Sequence, residues 1–123
     1  ARRALTAEAL RVPLIRDETG VVIAVAAEWR GTDGAALHGE AVVDDTVLFD
    51  GEVPGVRIEP TLHMPGLRAS VLSTRGRPRG WVAGRAAQLG TTGVQVMRDG
   101  VAAPRTLRRS TFYRHTEGWL RVG

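Results

Sequence analysis

Apolar positions in this chain fall in short runs broken by Gly, Pro, Asp and Arg, and few of them keep a helical spacing. Val12 to Ile15, the polar Arg16-Asp17-Glu18-Thr19-Gly20 and Val21 to Ala27 read as strand, turn and strand. The second run is apolar on both faces, which predicts a central strand. Ala41-Val42-Val43 and Thr46-Val47-Leu48-Phe49 flank Asp44-Asp45, whose short polar side chains tolerate the positive φ of a tight hairpin turn. Val56 to Ile58 leads into Pro60, and Leu67 to Thr74 alternates Leu67, Ala69 and Val71 against Arg68, Ser70 and Leu72, the pattern of a half-buried strand. Further strands are predicted at Arg85 to Leu89, Val94 to Arg98, Thr106 to Arg114 and Trp119 to Val122, with loops over residues 30–40 and over Arg75 to Gly80.

One segment departs from this pattern. Leu5-Thr6-Ala7-Glu8-Ala9-Leu10 predicts a short helix with Thr6 as its cap, Glu8 near the positive end of the dipole and Pro13 beyond its end. The expectation is therefore a mainly β, antiparallel sandwich or barrel-like single domain over residues 1–123 with a short N-terminal helix.

Composition narrows the picture. Fifteen Gly and six Pro are spread along the 123 residues, as many tight turns require. The absence of cysteine excludes a disulfide framework, a thiolate metal site and a thiol nucleophile, and fits a cytoplasmic location. No run approaches the roughly 18 apolar residues of a membrane span. All 17 basic residues are arginine, and the net charge of +4 favours an anionic partner, including an acidic membrane surface to which the chain would be peripheral. Dispersal of the arginines among 13 acids argues against nucleic acid.

The chemistry-bearing residues are few. His38, His63 and His115 are far apart, so no metal site is expected, His38 with Glu40 being the nearest approach to a ligand pair. Asp44, Asp45, Asp50 and Glu52 form the one acidic cluster, which suits tight turns as well as a hard cation. Ser70, Ser73 and Ser110 lack a Gly-x-Ser-x-Gly elbow, and both glycine-rich phosphate-loop patterns are missing. Asp99-Gly100 reads as a hairpin turn, and an aspartate fixed on such a turn can act as a general base. Arg105, Arg108, Arg109 and Arg114, interleaved with Phe112, Tyr113 and Trp119, make the most basic and aromatic segment, where Arg105, Arg108 and Arg109 are candidates to clamp an anionic ligand.

Taken in order, these segments resemble the C-terminal domain of the bacterial diacylglycerol kinase family of lipid kinases, shortened and degenerate. Residues Leu14 to Ile23 resemble the strand pair that opens that domain, and Val43 to Glu52 its central hairpin. Pro60 with Pro65-Gly66-Leu67-Arg68-Ala69-Ser70-Val71 is similar to its Asp-Gly-Leu segment, and Val96-Met97-Arg98-Asp99-Gly100, Arg109-Ser110-Thr111-Phe112 and Glu117-Gly118-Trp119-Leu120 follow its closing order. The resemblance implies that Asp99 occupies the base position of the family's Asp-Gly-Glu motif. It also implies a partner N-terminal kinase domain that would bring ATP and Mg²⁺, because the family's Gly-Gly-Asp-Gly-Thr motif is not within these residues and this chain by itself calls for no cofactor. Val101 stands in place of the motif's glutamate, Pro65 in place of the acid of the family's metal site, and the Asn-Gly loop that the family has after the position of Val53 is missing.

Two functions compete on these grounds. One is a lipid-kinase-like C-terminal domain that contributes a substrate-facing cleft and is not catalytic alone. The other is a non-enzymatic β-domain that binds an anionic ligand or a protein through residues 105–121.

Overall fold

The structure is a computed structural model, described for residues 9–11, 13–62, 65–115 and 119–121. The strands run β1 (Ala9–Arg11), β2 (Ile15–Asp17), β3 (Val22–Ile23), β4 (Ala27–Arg30), β5 (Leu37–Val43), β6 (Thr46–Val53), β7 (Gly55–Pro60), β8 (Leu67–Leu72), β9 (Pro78–Gly84), β10 (Ala86–Arg98), β11 (Val101–Ala102), β12 (Leu107–Arg114) and β13 (Trp119–Arg121). A single 3₁₀ turn at Thr32–Gly34 is the only helical element among the described residues. Every strand pairing is antiparallel, and the sheet is not closed into a barrel.

The long strand β10 organises the architecture. Its first half lies between β12 and β5, its last four residues pair with β4, and β11 adds at its end. The register breaks between Gly90 and Val94, so the strand bends there and passes from one leaf of the sheet to the other. One leaf has the order β3-β2-β12-β10-β5-β6, and the other runs from β10 through β4, β7 and β8 to β9.

The leaves face each other across one apolar core. Trp29 of β4 and Phe112 of β12 meet with ring centroids 5.9 Å apart, and the Trp29 indole N–H donates to the Ser110 hydroxyl at 2.9 Å. Both of those polar atoms are buried, so each supplies the partner the other needs. Ile15, Ile23, Ile58, Leu67, Val94 and Val96 fill the space around them with no exposed surface. Alternation does only part of the sorting: in β8 Leu67 and Ala69 are buried and Arg68 is half-buried, but Ser70 and Leu72 on Arg68's face are buried as well, so the strand is not the half-buried one its pattern predicts.

The strands predicted separately at Arg85 to Leu89 and Val94 to Arg98 are the single strand β10, and β5 opens at Leu37 inside the predicted 30–40 loop; three further expectations need correction. The predicted helix is not formed where it can be seen: Ala9–Arg11 is a strand paired with Trp119–Arg121, while Leu5 to Glu8 lie outside the described residues. A six-residue helix is too short to persist alone, and a paired strand satisfies the same backbone. Val21 to Ala27 is not one central strand, since Val22–Ile23 forms an edge of the first leaf and the strand of the second leaf starts at Ala27. Strand β9 starts inside the predicted Arg75 to Gly80 loop and runs on to Gly84 through residues assigned to no element, because Pro78, Gly80 and Gly84 read as breakers yet occupy a sheet edge, where missing donors and small residues are tolerated.

Candidate functional site

Asp99 sits where the sequence puts it, on the turn between β10 and β11, with φ of 50° followed by Gly100 at 84°. The turn aims its carboxylate at the segment that joins the two leaves. Backbone N–H groups of Ala24, Val25 and Ala26 donate to it at 2.9, 2.7 and 3.0 Å, and the Asp99 N–H donates to the Ala26 carbonyl at 2.8 Å. These bonds explain why the Val21 to Ala27 run breaks: the three N–H groups that would continue the strand are spent on Asp99. Desolvation is the largest influence on this carboxyl and opposes its ionisation, but the N–H groups of Ala24, Ala26 and Val25 outweigh it and hold the group below the ordinary value. Asp99 is thus held as an anion.

A groove of about 310 Å³ opens beside it, walled by Val25, Ala26, Glu28, Arg57, Met97 and Gly100. Glu28 is paired with Arg30 at 2.6 Å and with Arg57 at 3.6 Å, so these charged side chains offset one another in a groove whose lining is otherwise mostly apolar. An oxygen of a substrate hydroxyl can approach here, but Asp99 has one unused lone-pair direction at most.

The arginines of the last long strand are not brought together. Arg105 lies in the turn before β12, Arg108 at the register break, and Arg109 opposite Gly90, where it lines a shallow groove with Glu40, Gln88 and Thr111. All three are exposed, and adjacent strand positions such as 108 and 109 project to opposite faces. A bidentate clamp needs convergence that this placement does not give.

The acidic cluster also disperses. Asp44 adopts φ of 53° in the β5–β6 turn, and its carboxylate accepts the N–H groups of Arg85 at 3.0 Å and Ala86 at 3.1 Å, tying that hairpin to the start of β10. Asp50 and Glu52 lie along β6 opposite Glu40 and His38. No group of three or more His, Cys, Asp or Glu suited to a metal ion occurs among the described residues, and His63 lies outside them.

Sequence reading missed Asp17. It was placed in a turn, yet its side chain is fully buried and receives the Thr19 N–H at 2.9 Å, the Thr19 hydroxyl at 2.6 Å, the Val21 N–H at 3.0 Å and the Arg98 Nε at 2.6 Å. Burial resists its charge most strongly, but the Thr19 hydroxyl, the Val21 N–H, Arg98 and the Thr19 N–H together lower its pKa. The available signal was the Asp17-Glu18-Thr19-Gly20 spacing, in which an aspartate habitually binds the backbone two residues on. The second omission is a cavity of about 570 Å³ between the Gly31–Ala36 loop, Pro54 and the Ser73–Gly76 turn, which no sequence motif announces.

No family model matches the sequence, and no curated protein matches it. Solved structures do. An NAD kinase from Archaeoglobus fulgidus in complex with ATP superimposes with a TM-score of 0.63 at 10% identity, over 93% of this chain and 55% of that one. A putative diacylglycerol kinase from Bacillus anthracis str. Sterne gives 0.63 at 11% identity, over 94% and 56%. Yeast NADH kinase complexed with NADH gives 0.58 at 12% identity, over 88% and 41%. The chain thus shares its fold with part of each of these kinases. The chain spans about half the length of the kinases it resembles.

Proposed function

We propose that the chain serves as the sheet-rich half of a two-part kinase-like protein of the lipid-kinase type, forming the substrate-facing wall beside the Asp99 turn. In this reading a separate nucleotide-binding N-terminal domain holds ATP and Mg²⁺. The observation that supports it is the superposition of 93–94% of this chain on little more than half of an NAD kinase and of a putative diacylglycerol kinase. Asp99, Asp17 and Asp44 spend most of their acceptor capacity on N–H, hydroxyl or guanidinium donors, which leaves these three poorly suited to a hard cation. In this reading the chain is not catalytic alone.

Asp99 carries the base role in this reading, and its geometry sets the condition for it. Either the unused lone pair meets the substrate hydroxyl, or the Ala24–Ala26 segment gives up one bond when the domains close on substrate. The test is phosphoryl transfer from labelled ATP to diacylglycerol, and separately to NAD, by the parent protein that contains this chain and its nucleotide-binding domain. Asp99→Asn keeps the acceptor for Val25 and Ala26 but turns an amide NH₂ toward the Ala24 N–H, so a small drop in melting temperature accompanies the substitution. Loss of a base lowers kcat by about 10²–10⁴-fold. Full turnover in Asp99→Asn would remove the base role, and a parent protein that phosphorylates neither acceptor would remove the kinase reading.

A second reading, a non-enzymatic domain that binds an anionic ligand or a protein partner, draws support from the exposed Arg105, Arg108 and Arg109, none of which forms an ion pair among the described residues. It predicts saturable binding without turnover.

A further inference from the structure

The strongest concentration of unbalanced charge lies elsewhere, on the β8–β9 hairpin. Between Glu59 and Asp99 the sequence contains no acidic residue, while Arg68, Arg75, Arg77, Arg79, Arg85 and Arg98 all fall inside that interval. Arg98 is consumed by Asp17, and Arg68 is paired with Glu59 at 3.1 Å. Arg75, Arg77 and Arg79 are exposed and form no ion pair among the described residues.

Hydrogen bonds around Ser73 define the backbone of the tip that carries them. The Ser73 hydroxyl accepts the N–H groups of Arg75 and Arg77, each at 3.2 Å, the Ser73 N–H donates to the Arg77 carbonyl at 2.7 Å, and the Gly76 N–H donates to the Ser73 carbonyl at 2.9 Å. Arg79 follows at a register break, and two residues later comes Trp81, 62% exposed on the edge strand. The Arg68 guanidinium lies 5.8 Å from its ring centroid. An indole joins a large apolar face to a polar N–H, and such side chains are enriched where one end is apolar and the other wet. An indole beside a row of exposed, unpaired arginines fits one kind of surface well: anionic headgroups take the guanidinium groups, and the ring settles at the level where apolar chains begin.

We infer that the β8–β9 hairpin, through Arg75, Arg77, Arg79 and Trp81, is the element by which this chain docks on an anionic lipid bilayer. It deepens the lipid-facing reading by naming a surface, and it stands without phosphoryl transfer, since the docking needs neither nucleotide nor a second domain. The hairpin places contact at the edge of the second leaf, away from β12 and from the residues first suspected of anion binding.

The experiment is co-sedimentation of the chain with vesicles of phosphatidylglycerol and phosphatidylcholine, followed in parallel by indole emission with brominated phosphatidylcholine as quencher. Binding should rise with the phosphatidylglycerol fraction, weaken between 50 and 300 mM salt as roughly Debye-screened contacts do, and blue-shift and quench the emission. Arg75→Gln/Arg77→Gln/Arg79→Gln should lower the partition coefficient on the order of 100-fold, about a factor of five for each charge. Trp81→Ala should abolish the quenching, while Arg108→Ala/Arg109→Ala should bind like the unmodified chain. All these side chains are exposed, so circular dichroism should show the fold retained. Undiminished binding by the triple variant, or loss confined to the Arg108/Arg109 variant, would overturn the assignment. So would binding to a single-stranded oligonucleotide in place of vesicles. Vesicle docking without kinase activity in the parent would sink the kinase reading alone.

Discussion

Asp17→Ala is the sharpest test of how the two leaves are held together. The substitution leaves the Thr19 N–H, the Thr19 hydroxyl and the Val21 N–H without Oδ1 and the Arg98 Nε without Oδ2, in a site where the carboxylate itself has no solvent contact. Thr19 and Val21 are exposed and can turn to water, so their loss sits at the low end of the about 1–3 kcal/mol that an orphaned donor costs. Arg98 has 19% of its side chain accessible, which recovers part of the about 3–5 kcal/mol of a broken buried pair. The expected total is about 3–5 kcal/mol, or about 10–20 °C in melting temperature for a chain of this size.

The assay is thermal and urea unfolding of the unmodified chain, Asp17→Ala, Arg98→Ala and the double variant. A coupling of about 1–3 kcal/mol between the two sites would mark a direct pair. The pH dependence has a definite sign. The folded carboxyl titrates below its ordinary 3.8, so its contribution is complete above that value and disappears as pH falls through the lower folded one. The deficit of Asp17→Ala should therefore shrink under strongly acid conditions. A variant melting within about 3 °C of the parent chain at pH 7, or a coupling near zero, refutes the reasoning, because a deficit that small is what about 1 kcal/mol would give.

Two further outcomes follow from packing. Ser110→Ala strands the buried Trp29 indole N–H and should cost about 1–3 kcal/mol in urea unfolding with little change in m-value, whereas Ser110→Thr should retain part of the bond. Gly39→Ala builds a Cβ against the Gly90 carbonyl oxygen and 3.0 Å from the Thr91 Cα, both backbone neighbours, and should cost about 1–3 kcal/mol by differential scanning calorimetry, with an unchanged melting temperature counting against the packing described.

Much of the strand map was legible because alternation and turn chemistry are local. Asp44 and Asp99 were read as turn residues from their neighbours alone, and both adopt the positive φ that reading requires. What those carboxylates bind was not legible. Asp99 meets Ala24 to Ala26 across 75 to 73 positions, and Asp44 meets Arg85 across 41, distances over which no spacing rule operates. For the same reason Val21 to Ala27 looked like one strand: its interruption is imposed by a residue far down the chain. Arg105, Arg108 and Arg109 looked like a cluster because they are close in sequence, while the pleat and the register break separate them. The β8–β9 hairpin was obscured by its own composition, since Arg-Gly-Arg-Pro-Arg reads as a loop until a sheet edge is available to receive it.

The separations spanned by the polar bonds bear on how the chain reaches this state. Asp17 to Arg98 and Trp29 to Ser110 each span 81 positions, and Asp99 to Ala24 spans 75. Closing loops of that length costs entropy before any reward is collected, so the local hairpins β5–β6, β7–β8 and β8–β9 are placed to form early and these bonds to form late. Interactions absent from the transition state act on the rate of escape from the native state. The Asp99 turn and the Asp17–Arg98 pair are therefore expected to act as latches: substitutions there should speed unfolding and leave refolding nearly unchanged in stopped-flow measurements.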